Sequence, residues 1–339
     1  MDDTQTITQQ AAPFNTEQRC SLFSQASGDD PIGQARTPVH QVFVEAPFPW
    51  EFDFMRSRGV PGELAGVLAQ ANEQGADATA LGAAPDTDYS RGGLRHLFVF
   101  SRPEGLFSRF EKHHYLAPAD RLGAVLEAVL QGREAAARFG AYRQRSDSVR
   151  ELFVCTHGVR DACCGAFGYP VYRRLRDEHA GEHLRVWRTS HTGGHRFAPT
   201  LLDYPDGRYW AHAGEGTLDA IVRRTGEPKG LARHFRGWAG LGRLEQVVDR
   251  EVFLREGWRW LDYAKRGATE AGGVRYAEPA WLDAVEDARV RIDFRSPEGD
   301  MGAYVADLVH DGDAPFGGCG KPMRFERQFK VVKLERVPA

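Results

Sequence analysis

The sequence predicts an α/β protein: a smaller N-terminal unit, a related central unit, and a C-terminal segment that is helical at first and then β-rich. Strand-like strings alternate with amphipathic helical strings, and after a charged connector this alternation starts again. The last 65 or so residues hold strand strings separated by Gly and Pro turns. A hydrophobic fraction of 42% with 27% charged residues is the composition of a chain that buries an ordinary core, and 339 residues are more than one domain usually needs.

Taken in order, residues 1–16 read as a flexible tail. The N-terminal α/β unit is placed at 17–135. Its strand VHQVFVE (39–45) is broken by APFPW, and GELAGVLAQANEQ (62–74) follows as a helix. ADATALG and LRHLFVF are two more strands, and DRLGAVLEAVL is a closing helix with Asp120 as its expected N-cap. REAAARFGAYRQR connects to a second unit at 148–228. There ELFVCTH is a strand entering a loop, GYPVYRRLRDEHA a helix and LRVWRTSH a second strand entering a loop. FAPTLLDYP and GRYWAHA pair through a Pro-Asp-Gly turn, and TLDAIVRR closes the unit with Thr217 as its cap. The order β-α-β-β-β-α is the thioredoxin-like arrangement. The first unit has a similar order without a clear sequence repeat, which suggests a weak internal duplication. Residues 229–339 form the last segment, helical to about 265 with Trp238, Trp258 and Trp260 as packing residues, then strands ARVRIDF, GAYVADLV and QFKVVKLERV.

Net charge is −3 with a pI near 6.5, which lacks the basic excess of a nucleic-acid protein. No run approaches the ~20 apolar residues of a membrane span, and the polar, acidic start is unlike a signal peptide. The expected location is cytoplasmic. In that reducing compartment Cys20, Cys155, Cys163, Cys164 and Cys319 are candidates for metal ligands, redox thiols or buried small side chains rather than disulfides.

Two strings carry chemistry. One runs from Cys155 to Gly165 (CTHGVRDACCG) and the other is His191-Thr-Gly-Gly-His195. Each follows a strand, and loops at the carboxyl ends of neighbouring parallel strands form the site of an α/β sheet. Two thiolates and two imidazoles then converge on one metal centre. Gly193 and Gly194 disfavour a helix between the histidines, by about 1 kcal/mol each, and suit a loop wrapped closely on a ligand. Arg160, Thr156 and Ser190 are candidate hydrogen-bond donors to a metal-bound sulfur. A Cys₂His₂ zinc site is the rival reading, although the Cys155–Cys164 spacing is wider than in a zinc finger. Cys163 and His157 are alternative ligands. Cys20 and Cys319 are expected to be structural. FGGCGK lacks the spacing of a phosphate loop, and no glycine fingerprint for a dinucleotide follows a strand.

At these strings the chain resembles the sucrase/ferredoxin-like family, thioredoxin-like ferredoxins with bis-histidinyl ligation. The pattern is a cysteine, eight residues, a cysteine followed by glycine, then H-x-G-G-H. Here it falls on Cys155, Cys164 with Gly165, His191 and His195, with Arg160 and Asp161 matching an Arg-Asp inside the loop. CSLFSQASGDDPIGQA and VFVEAPFPW resemble the family's opening, so the likeness spans roughly residues 20–225. Cys163, next to Cys164, departs from the pattern. The resemblance implies a [2Fe–2S] cluster with Cys155 and Cys164 on one iron and His191 and His195 on the other. It implies one-electron, proton-coupled transfer with a separate redox partner protein, an electron carrier rather than a stand-alone enzyme. No carboxylate pair stands out as a glycosidase acid and nucleophile. A redox or iron sensor, a zinc protein at the same residues and a thiol oxidoreductase are the competing functions. No nucleic acid, membrane, flavin or nicotinamide is expected to bind.

Overall fold

In the computed structural model, which describes residues 19–338, two sheets account for all the strands. The tail expected over 1–16 lies outside the described residues. Helix α1 (Cys20–Ser27) comes first. The first unit then runs β1 (His40–Glu45), α2 (Glu63–Glu73), β2 (Ala78–Ala83), β3 (Leu94–Ser101), β4 (Glu111–Pro118), α3 (Leu122–Gln131) and the short α4 (Arg133–Ala137). The second runs β5 (Arg150–Cys155), α5 (Ala162–Glu178), β6 (Leu184–Thr189), β7 (Leu201–Tyr204), β8 (Arg208–Trp210) and α6 (Leu218–Arg223). After it come β9 (Phe235–Trp238), α7 (Arg243–Glu256), β10 (Ala264–Ala271), β11 (Val274–Tyr276), β12 (Asp287–Arg295), β13 (Met301–Phe316) and β14 (Arg324–Val337).

The first nine strands make one sheet in the order β4-β3-β1-β2-β6-β5-β7-β8-β9. The α/β class read from the sequence is the class observed. Each unit pairs its first two strands in parallel and adds two antiparallel ones, so the two units share one strand order. They join at the single pair Ala83–Thr189 between β2 and β6. The last five strands form a separate antiparallel sheet, β11-β10-β12-β13-β14.

Strand periodicity explains the layering. On β1 and β3, Val42, Val44, Leu97 and Val99 face one way, onto Leu64, Leu68, Val125 and Leu126 of α2 and α3. Phe43, Phe98 and Phe100 face the other way and meet the second unit: Phe43 stacks on Phe153 at 3.6 Å, and Phe100 packs on Tyr204 at 4.5 Å. Each such fully buried side chain contributes ~1.5–3 kcal/mol. Across the same contact Lys112 of β4 donates to Glu151 of β5 at 2.7 Å, and Trp187 donates to the other Glu151 oxygen at 2.6 Å. A buried charge is tolerable only when partnered in this way.

Three local expectations are corrected. β4 was not read as a strand, because its inward positions carry Lys112 and His114 rather than apolar residues. The stretch to 265, expected to be helical, opens on a short 3₁₀ turn and then supplies strand β9 to the main sheet. Asp120 lies inside a 3₁₀ turn before α3 and caps nothing.

Behind the first sheet, Glu245 of α7 is buried and accepts from the Thr269 hydroxyl at 2.6 Å. Burial pushes its carboxyl up to about 7. The folded protein therefore holds a proton there that the unfolded chain, with an ordinary carboxyl, releases. That stabilisation is complete below the ordinary value and fades as pH rises through about 7. Glu245→Gln is expected to remove this slope. Wild type should lose ~1–3 kcal/mol relative to the variant between pH 5 and pH 8, measured as denaturant midpoints. Parallel profiles for the two proteins would refute it.

Candidate metal centre

Parallel strands β5 and β6 pair with Cys155 opposite Thr189, the last residue of each. Both chemistry-bearing loops therefore start side by side at the same level, as loops at the carboxyl edge of a parallel pair do. The first loop returns at once into α5. Asp161 caps that helix, its Oδ1 accepting from the Cys163 amide at 2.9 Å, so Cys163 and Cys164 sit in the first turn at the positive end of the helix dipole. Close packing demands glycine here. A Cβ on Gly168 would lie 1.9 Å from the Cys155 carbonyl oxygen, and one on Gly165 would lie 2.9 Å from the Cα of Gly158.

In the second loop Gly193 and Gly194 have φ of 76° and 65°, the left-handed region that glycine occupies freely. Arg236 donates to the Gly193 carbonyl at 3.1 Å, and a Cβ on Gly194 would meet its guanidinium at 2.8 Å. The loop thus lies directly on a buried cation. A 3₁₀ turn, His195–Phe197, follows.

The sulfurs of Cys155 and Cys164 and a ring nitrogen of His191 lie within 4.8 Å of one another, with Cys164 Sγ 3.6 Å from His191 Nδ1. Both cysteines are buried and both histidines partly exposed, so the thiolate side of the site faces inward and the imidazole side outward. A hydrogen bond from the Cys164 thiol holds Cys155 well below the usual thiol range and raises Cys164 in turn.

His195 stands beside this trio, its ring 5.7 Å from that of His191. Its Nδ1 lies 3.2 Å from Asp161 Oδ2 and 3.3 Å from Cys20 Sγ. An N–H directed at the carboxylate leaves Nε2 as the free lone pair, the arrangement in which a carboxylate orients a metal-binding imidazole. Burial pushes His195 down to about 4, so the ring is neutral, its ligating form.

The other sequence candidates have different partners. His157 Nδ1 accepts from the His191 amide at 3.3 Å, and its ring packs edge-on to Trp50. Arg160 lies over the Phe52 ring at 3.9 Å. Thr156 Oγ1 accepts from Arg188 at 3.3 Å, and Ser190 Oγ accepts from the Gly82 amide at 2.8 Å. Cys163 points away from Cys164 toward Cys20, 3.5 Å between sulfurs, and toward Cys319, 3.4 Å. Cys20, Cys319 and Asp161 are thus brought to Cys163, although the sequence reading expects Cys20 and Cys319 to be structural and gives Asp161 no ligand role. The cysteines are 143 and 156 positions from Cys163, and no local spacing encodes such contacts.

Fold and site together define an α/β protein with cysteine and histidine donors gathered at the carboxyl ends of two adjacent parallel strands. The sucrase/ferredoxin-like family model matches residues 31–237, more than half of the chain, and the chain belongs to that family. Altered inheritance of mitochondria protein 32 of Meyerozyma guilliermondii is 24% identical over 158 residues, a match covering 39% of this chain and 54% of that protein. This chain therefore spans about half the length of that curated relative. No solved structure matches it. Among the described residues no helix is long and apolar enough to cross a membrane.

Proposed function

We propose that the protein is a thioredoxin-like ferredoxin, holding a [2Fe–2S] cluster through Cys155, Cys164, His191 and His195 and passing single electrons between redox partner proteins. The observation that carries this reading is the convergence of Cys155, Cys164 and His191 within 4.8 Å, beside His195, whose Nδ1 faces Asp161. The donor set suits such a group: thiolates for one iron, imidazoles for the other, within a cradle narrowed by Gly158 and Gly165. When bound, the group supplies reversible one-electron chemistry at a potential raised by imidazole ligation.

The chain's own residues do the rest. The first turn of α5 and buried Arg236 place positive charge against the thiolates. Asp161 fixes the ring orientation of His195. The partly exposed imidazoles form the route to a partner, and their ring N–H groups are where a proton accompanies the electron. Phe48, Phe52, Val159 and Tyr169 are exposed around the cysteine loop, with Arg160 and Arg188 over Phe52 and Phe48, a surface suited to brief docking of a protein.

Protein purified without oxygen is expected to show visible absorption that bleaches with dithionite, with iron and sulfide near two each per chain. Cys155→Ser should lose most of the iron. Colourless protein with zinc bound at these four residues would replace this reading by a zinc site.

A further inference from the structure

Cys20, Cys163 and Cys319 come from three separate places: helix α1, the first turn of α5, and the loop between β13 and β14. Their sulfurs, with a carboxylate oxygen of Asp161, lie within 4.8 Å of one another. Cys20 to Cys163 is 3.5 Å, Cys163 to Cys319 is 3.4 Å, and Cys20 Sγ to Asp161 Oδ1 is 3.8 Å. Four-coordinate zinc with sulfur at about 2.3 Å has S···S edges of about 3.8 Å, so small adjustments of these side chains close the shell. Cys20 and Cys163 are 1% and 0% exposed.

Apolar packing explains part of this. Ala198, Phe23, Phe167 and Met323 surround the thiols. Packing does not explain why three thiols from three separate elements face a common point beside the Asp161 carboxylate that caps α5. A redox role fits poorly, because reactive thiols sit where a substrate can reach them. Three thiols and a carboxylate gathered at the start of α5, with Cys20, Cys163 and Asp161 buried and Cys319 partly exposed, are a donor set that tetrahedral zinc takes.

We propose that Cys20, Cys163, Cys319 and Asp161 form a second metal site, distinct from the Cys155–Cys164–His191 trio, that takes one zinc ion. On binding, each thiol releases its proton to solvent and forms a zinc–sulfur bond. The ion fastens α1 and the β13–β14 loop to the first turn of α5. Asp161 then stands between the two sites, ligating on one side and facing His195 on the other. This inference holds whatever occupies the first site.

The test is zinc and iron content of the full chain, purified without oxygen and equilibrated with a zinc salt, in wild type, Cys155→Ser, Cys319→Ser and Cys20→Ser. One zinc per chain is expected in Cys155→Ser, and Cys319→Ser and Cys20→Ser should each hold one zinc fewer than wild type. Iron is read separately, and its loss or absence judges only the first site. Cys319, on a half-exposed loop, is the variant least able to disturb folding. Wild type supplies a second measurement: Cys20, Cys163 and Cys319 should resist iodoacetamide until a chelator removes the zinc. Zinc content in Cys319→Ser and Cys20→Ser equal to that of wild type, no zinc at all in Cys155→Ser, unprotected thiols, or a Cys20–Cys163 disulfide in the anaerobic protein would each overturn the proposal.

Discussion

Gly168→Ala is expected to destabilise the protein by more than about 3 kcal/mol, well beyond an ordinary surface change. The added Cβ would stand 1.9 Å from the Cys155 carbonyl oxygen. The obstacle is strand backbone and has no rotamer to give way. Helix α5 must retreat from β5, carrying Cys163 and Cys164 away from Cys155. Stability and metal content should therefore fall together. Gly181→Ala is the control, since nothing lies within 4 Å of its Cβ position. Denaturant midpoints and bound iron of both variants check this, and a Gly168→Ala midpoint equal to wild type would show that the helix is not pinned at this point.

The second large effect is on potential. In the proposed centre, replacing His191 by cysteine would put a thiolate ligand where an imidazole stands beside Cys164. The variant is expected to keep iron and to be reduced at a potential lower by roughly 100–300 mV, part of the gap between histidine-ligated and all-cysteine centres. The pH dependence should weaken as well. In the proposed centre an iron-bound imidazole would give up its ring proton more readily in the oxidised form, so the wild-type potential would fall as pH rises. Redox titrations of both proteins between pH 6 and 9 measure shift and slope. An unchanged potential in the variant would remove His191 from the ligand set.

Much of this was legible because the signals are local. CTHGVRDACCG and HTGGH each follow a strand, and parallel strands place such loops together, so the meeting of Cys155, Cys164 and His191 could be anticipated without knowing any long-range contact. The duplicated strand order was visible too, except at β4. There a buried Lys112 is satisfied by Glu151 from the other unit, and a partner so distant leaves no trace in the alternation of the strand itself. Strand β9 was hidden for a related reason: four residues that include Arg236 and Gly237 do not form a β pattern, and only the open edge of β8 gives them one. Cys20 and Cys319 are the sharpest case. Each looks like a small buried side chain in its own surroundings, and only tertiary structure reveals that both face Cys163.

The seam between β2 and β6 also bears on solubility. Gly82 and Ser190 exchange hydrogen bonds across it, and the Ala84 amide donates to the Arg188 carbonyl. Each unit taken alone would end there in a strand with unpaired amides and carbonyls, the kind of rim on which polypeptides add to one another and aggregate. The few bonds at this seam tie the two rims together at one end and brace the start of the loop that carries His191. The first unit, which brings no ligand to the trio, supports from the side the loop that does.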